Sequence, residues 1–557
     1  MNSNVKSFFF QILCIALVLS CQNKTEKKID EIFAQWNSDQ TPGAAVAVVK
    51  NEKIVFKKGY GMSNLEYGIP ITPSSIFHIA SVSKQFTVFS ILLLENEGKL
   101  SLEDDVRKYI PEVPDFGKTI TLRHLANHTS GMRDQWNLLA LAGWRLDDVI
   151  TKEHVLKLVS NQKELNFDPG EEFAYCNTGF TLLAEVVARV SGMSFTEFTD
   201  SEIFKPLGMG NTFFYDDHEK IVPNRAYSYS KIDSLSYKKS VLSYANVGAT
   251  SLFTTVEDLG LWAMNFQNPK VGNKEIIEKM NLPTVLNNGE TIDGALGQFV
   301  DNYKGVQEIS HGGADAGYRS FFARYPEQDL AVIVFSNDGS FNSGGLARQV
   351  ADVFLEGIVE NEDLKTTDPE NIEGEMDIDL NTLLNYVGDY ELEPGFILSI
   401  RESDGILSVQ PTGEPLFQLK AISEKEFKVG DLEFIIEFRT GQQGIAESLI
   451  LHDGDDVREA KKSEPFDFST VNLSDFEGNF YSEELSTRYT FIVEGDTLVA
   501  KHSRHPDIHF NPTKKDFFTG NSWFFGQAEF IRNDNGTVTG LKASSGRVRN
   551  VWFEKVE

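Results

Sequence analysis

The sequence predicts an α+β chain: an antiparallel sheet flanked by helices with a helical subdomain, followed by two all-β, barrel-like domains. Three observations carry this. Strand patterns lie at both ends of residues 22–358, with helical patterns between them. An acidic stretch at 359–379, with Pro369 and Gly374, reads as a linker. Beyond it apolar residues alternate, as in Phe396/Leu398/Ile400 and Phe434/Ile436/Phe438, which is the period of a half-buried strand.

The N-terminal elements follow in order. Ala44 to Val49 and Ile54-Val55-Phe56 flank Lys50-Asn51-Glu52, a hairpin pattern. An apolar helix opens at Ser81-Val82-Ser83-Lys84, and a mostly helical stretch runs to about residue 285. Within it, Thr255-Val256-Glu257-Asp258 caps a helix ending near Phe266. Strands return at 318–325 and 330–335, and a last helix covers 346–354.

The tail contains a repeat. Tyr386-Val387-Gly388-Asp389-Tyr390 matches Phe476-Glu477-Gly478-Asn479-Phe480, and Glu426-Phe427 matches Asp516-Phe517 at the same offset. A period of about 90 residues is too long for a solenoid unit. It fits two copies of a small β-barrel or meander, at 380–465 and 466–557.

A chain of 557 residues is too long for one core. The formal charge of −30 disfavours nucleic-acid binding, since phosphate contacts need a cationic surface. Lys6 followed by the apolar run Phe8 to Ser20 suits a signal peptide and is too short to span a bilayer. Val18-Leu19-Ser20-Cys21 resembles a lipoprotein processing box. The expectation is a signal peptide over 1–21, lipid on Cys21, and an exported, membrane-anchored bacterial lipoprotein, with the oligomeric state left open. Cys14 leaves with the signal, so Cys176 has no partner for an internal disulfide.

Ser81 and Lys84 lie one helical turn apart on one face. The run after them is apolar nearly all round, and a buried ammonium without a partner is costly. Ser-x-x-Lys also occurs at Ser3, Ser160, Ser228 and Ser236; the last two read as exposed loop. Ser81 stands out for its buried helix and two downstream companions. One is Tyr175-Cys176-Asn177, preceded by Asp168-Pro169-Gly170 and followed by a helix over 178–190. Tyr244-Ala245-Asn246 has the same pattern without that setting and reads as a decoy. The other is Ser310-His311-Gly312-Gly313-Ala314, just before a strand, where glycines let a substrate backbone approach.

In this order the motifs resemble the serine β-lactamase and D,D-peptidase superfamily, its class C-like branch, over about residues 30–357. Arg123-His124-Leu125 with His128-Thr129-Ser130-Gly131, and the run Leu252 to Leu259, are also similar. The paired β-domains look like the tail of D-aminopeptidase members. The resemblance implies a β-lactamase/penicillin-binding-protein-like fold, a covalent acyl-enzyme, no cofactor, and a small-molecule or peptide substrate. Ser81 would be the nucleophile, Lys84 would hold or accept its proton, and Tyr175 would be the general base and leaving-group acid. Asn177, His311, Gly312 and Gly313 would bind substrate. The oxyanion would lie between the N–H groups of Ser81 and Ala314, donors worth roughly 3–4 kcal/mol each.

Many relatives carry lysine where this chain has His311. A histidine is only partly charged near neutrality, which favours amides, esters or aminopeptidase-type substrates over β-lactams. The activity implied is a D-aminopeptidase or D,D-peptidase. The alternatives are a carboxylesterase or weak β-lactamase, or a catalytically silent scaffold. His124 and His128 read as packing or capping residues. Cys176, at the middle position of the Tyr-x-Asn motif, is not expected to point its side chain at substrate and is not read as a nucleophile, with a modifiable thiol near the cleft left open; no His/Cys/Asp set has metal-ligand spacing.

Overall fold

The computed structural model describes residues 24–358 except 234–235, and 378–557 except 394–395, 404, 412–415, 431–433, 442–443, 454–455 and 464–470. The signal peptide, Cys21 and all but the last two residues of the 359–379 linker lie outside the described residues. The chain divides into two compact units: Met1–Gln135 with Leu146–Asn361, and Trp136–Arg145 with Glu362–Glu557.

The first unit is built on a six-stranded antiparallel sheet. Its strands are β1 (Ala44–Lys50), β2 (Lys53–Tyr60), β3 (Phe299–Tyr303), β4 (Val306–Asp315), β5 (Tyr318–Tyr325) and β6 (Leu330–Ser336), in the spatial order β3-β4-β5-β6-β1-β2. The expected hairpin is β1–β2, turned at Asn51 and Glu52, both in the left-handed region at φ 50° and 57°. β1 is buried on both faces, which is why Ala44 to Val49 reads as a continuous apolar run. Ala45, Ala47 and Val49 face one core with Phe86, Phe89 and Trp262. Ala44, Val46 and Val48 face the other, with Phe33, Leu346 and Val350.

Helix α1 (Lys84–Asn96) follows a 3-10 turn at Ala80–Ser83, so Ser81 precedes the α-helix by one turn. Helix α2 (Asn177–Ser191) ends at Gly192, φ 75°. Helix α3 (Val256–Gln267) is capped as expected: the Thr255 side chain accepts from Asp258 N at 3.1 Å. The region before 285 is less helical than its sequence suggests. It holds the short strands Phe213–Phe214, Tyr229–Lys231, Tyr237–Lys239, Tyr244–Ala245 and Leu252–Thr254. Runs of two or three residues are too brief to show a period. Ser228 is buried, donating to Ser240 O at 3.0 Å, contrary to the exposed loop expected there.

In the second unit the tail forms two closed eight-stranded barrels, from Gly388–Glu393 to Asp456–Lys462 and from Gly478–Ser482 to Val548–Val556. The repeat marks equivalent places: Gly388 and Gly478 each open a first strand. A Cβ there would stand 2.4 Å from Lys462 Cε and 2.8 Å from Lys555 Cε respectively. Side chains fill the barrel interiors. Tyr386 stacks on Phe438 at 4.4 Å in the first, and Phe491 meets Phe510, Phe525 and Phe530 in the second. The helix Gln135–Leu141 and the turn after it pack on the second barrel. Tyr489 Oη donates to Leu141 O at 3.1 Å, and Asn137 Nδ2 donates to Ser545 Oγ at 3.0 Å.

Candidate active site

The residue before Ser81, Ala80, has φ 47°, a left-handed conformation that costs energy in a non-glycine residue. Two contacts hold it. Ser83 Oγ donates to Ala80 O, and Ser320 Oγ from β5 donates to Ile79 O at 2.7 Å. Gly313 lies against this turn: a Cβ there would stand 2.4 Å from Ile79 O and 2.2 Å from Ser320 Oγ. Its lack of a side chain therefore serves the approach of the Ser81 turn to β4. The expected reason, room for substrate, fits Gly312, whose nearest neighbour would be Phe321 Cδ2 at 3.6 Å.

Lys84 is fully buried and well partnered. Its Nζ lies 3.1 Å from Ser81 Oγ, 2.8 Å from Asn177 Oδ1 and 2.7 Å from Ala249 O. An ammonium donates to all three. A neutral amine donates to Asn177 and Ala249 and accepts the Ser81 hydroxyl proton with its lone pair. One geometry thus serves both states. Nζ also lies 4.9 Å from the Tyr175 ring centroid.

Tyr175 is placed from beneath. The His128 ring stacks on it at 4.2 Å and 27°, and His128 Nδ1 accepts from Cys176 N at 3.0 Å. His128 thus supports the Tyr-x-Asn segment, while His124 caps a helix by accepting from Thr121 N at 3.2 Å. Asn177 is held by a residue that the sequence did not single out: Asp134 Oδ2 accepts from Asn177 N at 2.7 Å and Nδ2 at 2.8 Å. Cys176 is buried, donates through Sγ to Met132 O at 3.3 Å, and burial pushes its thiol up to about 12. It is a packing residue, in keeping with the expectation that it is no nucleophile, and the open alternative of a modifiable thiol fails because its proton is held and solvent is excluded.

His311 lies 6.1 Å from the Tyr175 ring, centroid to centroid. Burial, reinforced by the charge of Lys84, lowers it to about 3. The partial charge expected near neutrality is absent, and the ring is neutral. Its Nδ1 sits 2.6 Å from Gly312 O, and its buried Nε2 has no hydrogen-bond partner. With Nδ1–H donating to the carbonyl, Nε2 carries a lone pair.

β3 pairs with β4 only as far as Ser310. Among the described strands His311–Asp315 pairs with β5 alone, leaving the other edge of this segment open toward Ser81. Ala314 is exposed on that segment. Next to it Asp315 accepts from Thr250 Oγ1 at 2.5 Å, and the Tyr244 phenol acts on it electrostatically. Tyr244, read as a decoy, therefore borders the site. Burial raises its phenol well above the ordinary value, so it stays a donor. The sequence signals for Asp134 and Asp315 were adjacency alone, Asp134 lying three residues after Gly131 and Asp315 following Ala314, whereas Tyr244 carries the Tyr-x-Asn pattern itself. Among the described residues no three His, Cys, Asp or Glu side chains gather to hold a metal ion.

Comparison with known proteins places these residues in context. The Beta-lactamase family model matches residues 26–354. Penicillin-binding protein 4* of Bacillus subtilis (strain 168) is 28% identical over 462 residues, covering 79% of this chain and 99% of that protein. A D-aminopeptidase of Gluconobacter oxydans (strain 621H) is 26% identical, covering 53% of this chain and 56% of its own length. Among solved structures, the octameric penicillin-binding protein homologue from Pyrococcus abyssi superimposes with a TM-score of 0.56 at 24% identity. That match covers 79% of this chain and 99% of the other, and shows likeness of fold.

Proposed function

Because the chain belongs to the beta-lactamase family, a family of serine hydrolases, we propose that it hydrolyses amides and peptides of D-amino acids through an acyl-enzyme on Ser81. One observation carries this reading: Lys84 Nζ, buried, touches Ser81 Oγ and Asn177 Oδ1 together, with the Tyr175 ring 4.9 Å away. Ser81 Oγ attacks the scissile carbonyl carbon, and its proton passes to Tyr175 with Lys84 holding the charge balance. The carbonyl oxygen, now negative, takes hydrogen bonds from Ser81 N–H and Ala314 N–H. Tyr175 returns the proton to the leaving nitrogen as the carbon–nitrogen bond breaks. Water then repeats the sequence against the ester and frees Ser81.

The amide preference rests on His311. A neutral imidazole gives no fixed cation for a substrate carboxylate on the Tyr175 side. D-aminopeptidase substrates, which need none there, suit the site better than penicillins or D-Ala-D-Ala peptides. The likeness to the Gluconobacter oxydans D-aminopeptidase points the same way. A panel of D-amino-acid amides, D-Ala-D-Ala peptides, p-nitrophenyl esters and nitrocefin, run beside Ser81→Ala, tests the reaction class. Labelling by a fluorophosphonate that survives Ser81→Ala would exclude the proposed nucleophile.

The protein is further proposed to be exported and tethered through lipid on Cys21, on the strength of Val18-Leu19-Ser20-Cys21. Metabolic labelling with a palmitate analogue is expected for the full chain and not for Cys21→Ser.

A further inference from the structure

The acyl-enzyme chemistry uses Ser81, Lys84, Tyr175, Asn177 and the Ala314 amide. It leaves Asp315 without a task, although this carboxyl is the next residue along the open edge of β4. In a strand alternate residues share a face, so His311, Gly313 and Asp315 all face the Ser81 turn. Gly313 confirms the direction, because its absent Cβ would point at Ile79 O and Ala80 Cβ. His311 and Asp315 therefore stand at opposite ends of the site. Four residues at roughly 3.3 Å each put about 13 Å between their Cα atoms.

The two ends take different parts of a substrate. The leaving nitrogen must reach the proton on Tyr175, whose ring is beside His311. With the carbonyl oxygen at Ala314 N–H, the acyl half runs the other way, toward Asp315. Asp315 is partly exposed as a residue, while its carboxyl is largely buried. It accepts a hydrogen bond from the hydroxyl of Thr250, with the Tyr244 phenol close by, and no lysine or arginine among the described residues pairs with it at ion-pair distance. Lys84 and Arg319 act on it only through space. Arg319 spends NH1 on Ala316 O and Tyr318 O. A carboxylate with no cationic partner among the described residues, one residue beyond the oxyanion donor, suits a small cation.

We propose that Asp315, with Thr250 and Tyr244, forms a subsite for the α-ammonium of the acyl residue. The protein would thereby select substrates with a free, charged amino terminus. This rests on the acyl-enzyme reading above and sharpens it: an ammonium is recognised on the acyl side, and no carboxylate is recognised on the leaving side.

The test compares D-alanine p-nitroanilide with its N-acetyl derivative, in the full-length protein and in Asp315→Asn. Asparagine keeps an oxygen for the Thr250 hydroxyl while removing the charge. The ratio of kcat/KM for the free amine over the N-acetyl substrate is expected to fall about 10- to 100-fold, the range for a hydrogen bond to a charged group. Most of the change should be in KM, with partial recovery in Asp315→Glu. An unchanged ratio, or equal losses on both substrates, overturns the subsite. A second arm needs no turnover. Calorimetry in a Ser81→Ala background should find D-alaninamide bound at least 10-fold more tightly than N-acetyl-D-alaninamide, a preference that Asp315→Asn abolishes. No preference there refutes the subsite even if turnover is normal. Preference without turnover refutes the hydrolase reading alone.

Discussion

Replacing Asp134 with alanine tests how the Tyr175–Asn177 segment is held. Asp134 Oδ2 takes two hydrogen bonds, from Asn177 N at 2.7 Å and Nδ2 at 2.8 Å, and both residues are buried. Alanine leaves two donors unpaired. Each costs about 1–3 kcal/mol when buried, so the loss is about 2–6 kcal/mol, a large part of a typical total of about 5–15 kcal/mol. Asp134→Asn retains an acceptor oxygen and loses only its charge, so its loss should be about 1–2 kcal/mol. Activity should fall as well, because Asn177 Oδ1 positions Lys84 Nζ. A misplacement of about 1 Å in such a group costs roughly 100-fold, so kcat on a p-nitrophenyl ester should drop about 10- to 100-fold in Asp134→Ala and less in Asp134→Asn. Thermal unfolding and steady-state kinetics on the same preparations read both effects. If Asp134→Ala stays within about 0.5 kcal/mol and keeps its kcat, Asn177 is held by something other than this carboxylate.

Three further outcomes are expected. Burial raises Asp315 from 3.8 to about 6, so between these values the native state holds a proton that the unfolded chain has lost. Stability should fall as pH rises through that window and level off above it, by at most about 3 kcal/mol, with Lys84, Arg319, Thr250 and Tyr244 already counted in the shift. The difference in melting temperature between the natural protein and Asp315→Asn, followed from pH 4 to 7, reads this directly; a flat difference contradicts it. His311 is held neutral, its value lowered from 6.5 to about 3. Its stabilising contribution is therefore present above pH 6.5 and lost as pH falls toward 3, and His311→Gln should leave the positions of the kcat/KM limbs between pH 5 and 8 unmoved. Gly143 has φ 94°, and a Cβ there would stand 2.2 Å from His502 Cε1. Gly143→Val should destabilise the packing of Trp136–Arg145 on the second barrel by about 1–3 kcal/mol, seen as a lower unfolding temperature.

Much of this protein is local in origin. The β1–β2 hairpin, the Thr255 cap, the Gly192 stop of α2 and the one-turn spacing of Ser81 and Lys84 each depend on a few adjacent residues, so they could be read from the chain. The repeat of Tyr386–Tyr390 at Phe476–Phe480 was legible because each barrel needs the same glycine and aromatic ring at its first strand. What the chain alone decided was its list of elements and the reactive residue types. Tertiary structure decided their company and their charge. Tyr244 looked like a stray copy of a motif until folding brought its phenol close enough to act on Asp315. Asp134 carried no pattern, because its work is to accept from Asn177, 43 positions away. The imidazole of His311 would be partly charged near neutrality in a short peptide and is held neutral in the fold, since the cost of removing a cation from water depends on everything packed around it. That surrounding set is drawn from α1, β4 and the Tyr175 turn, and no stretch of sequence contains it.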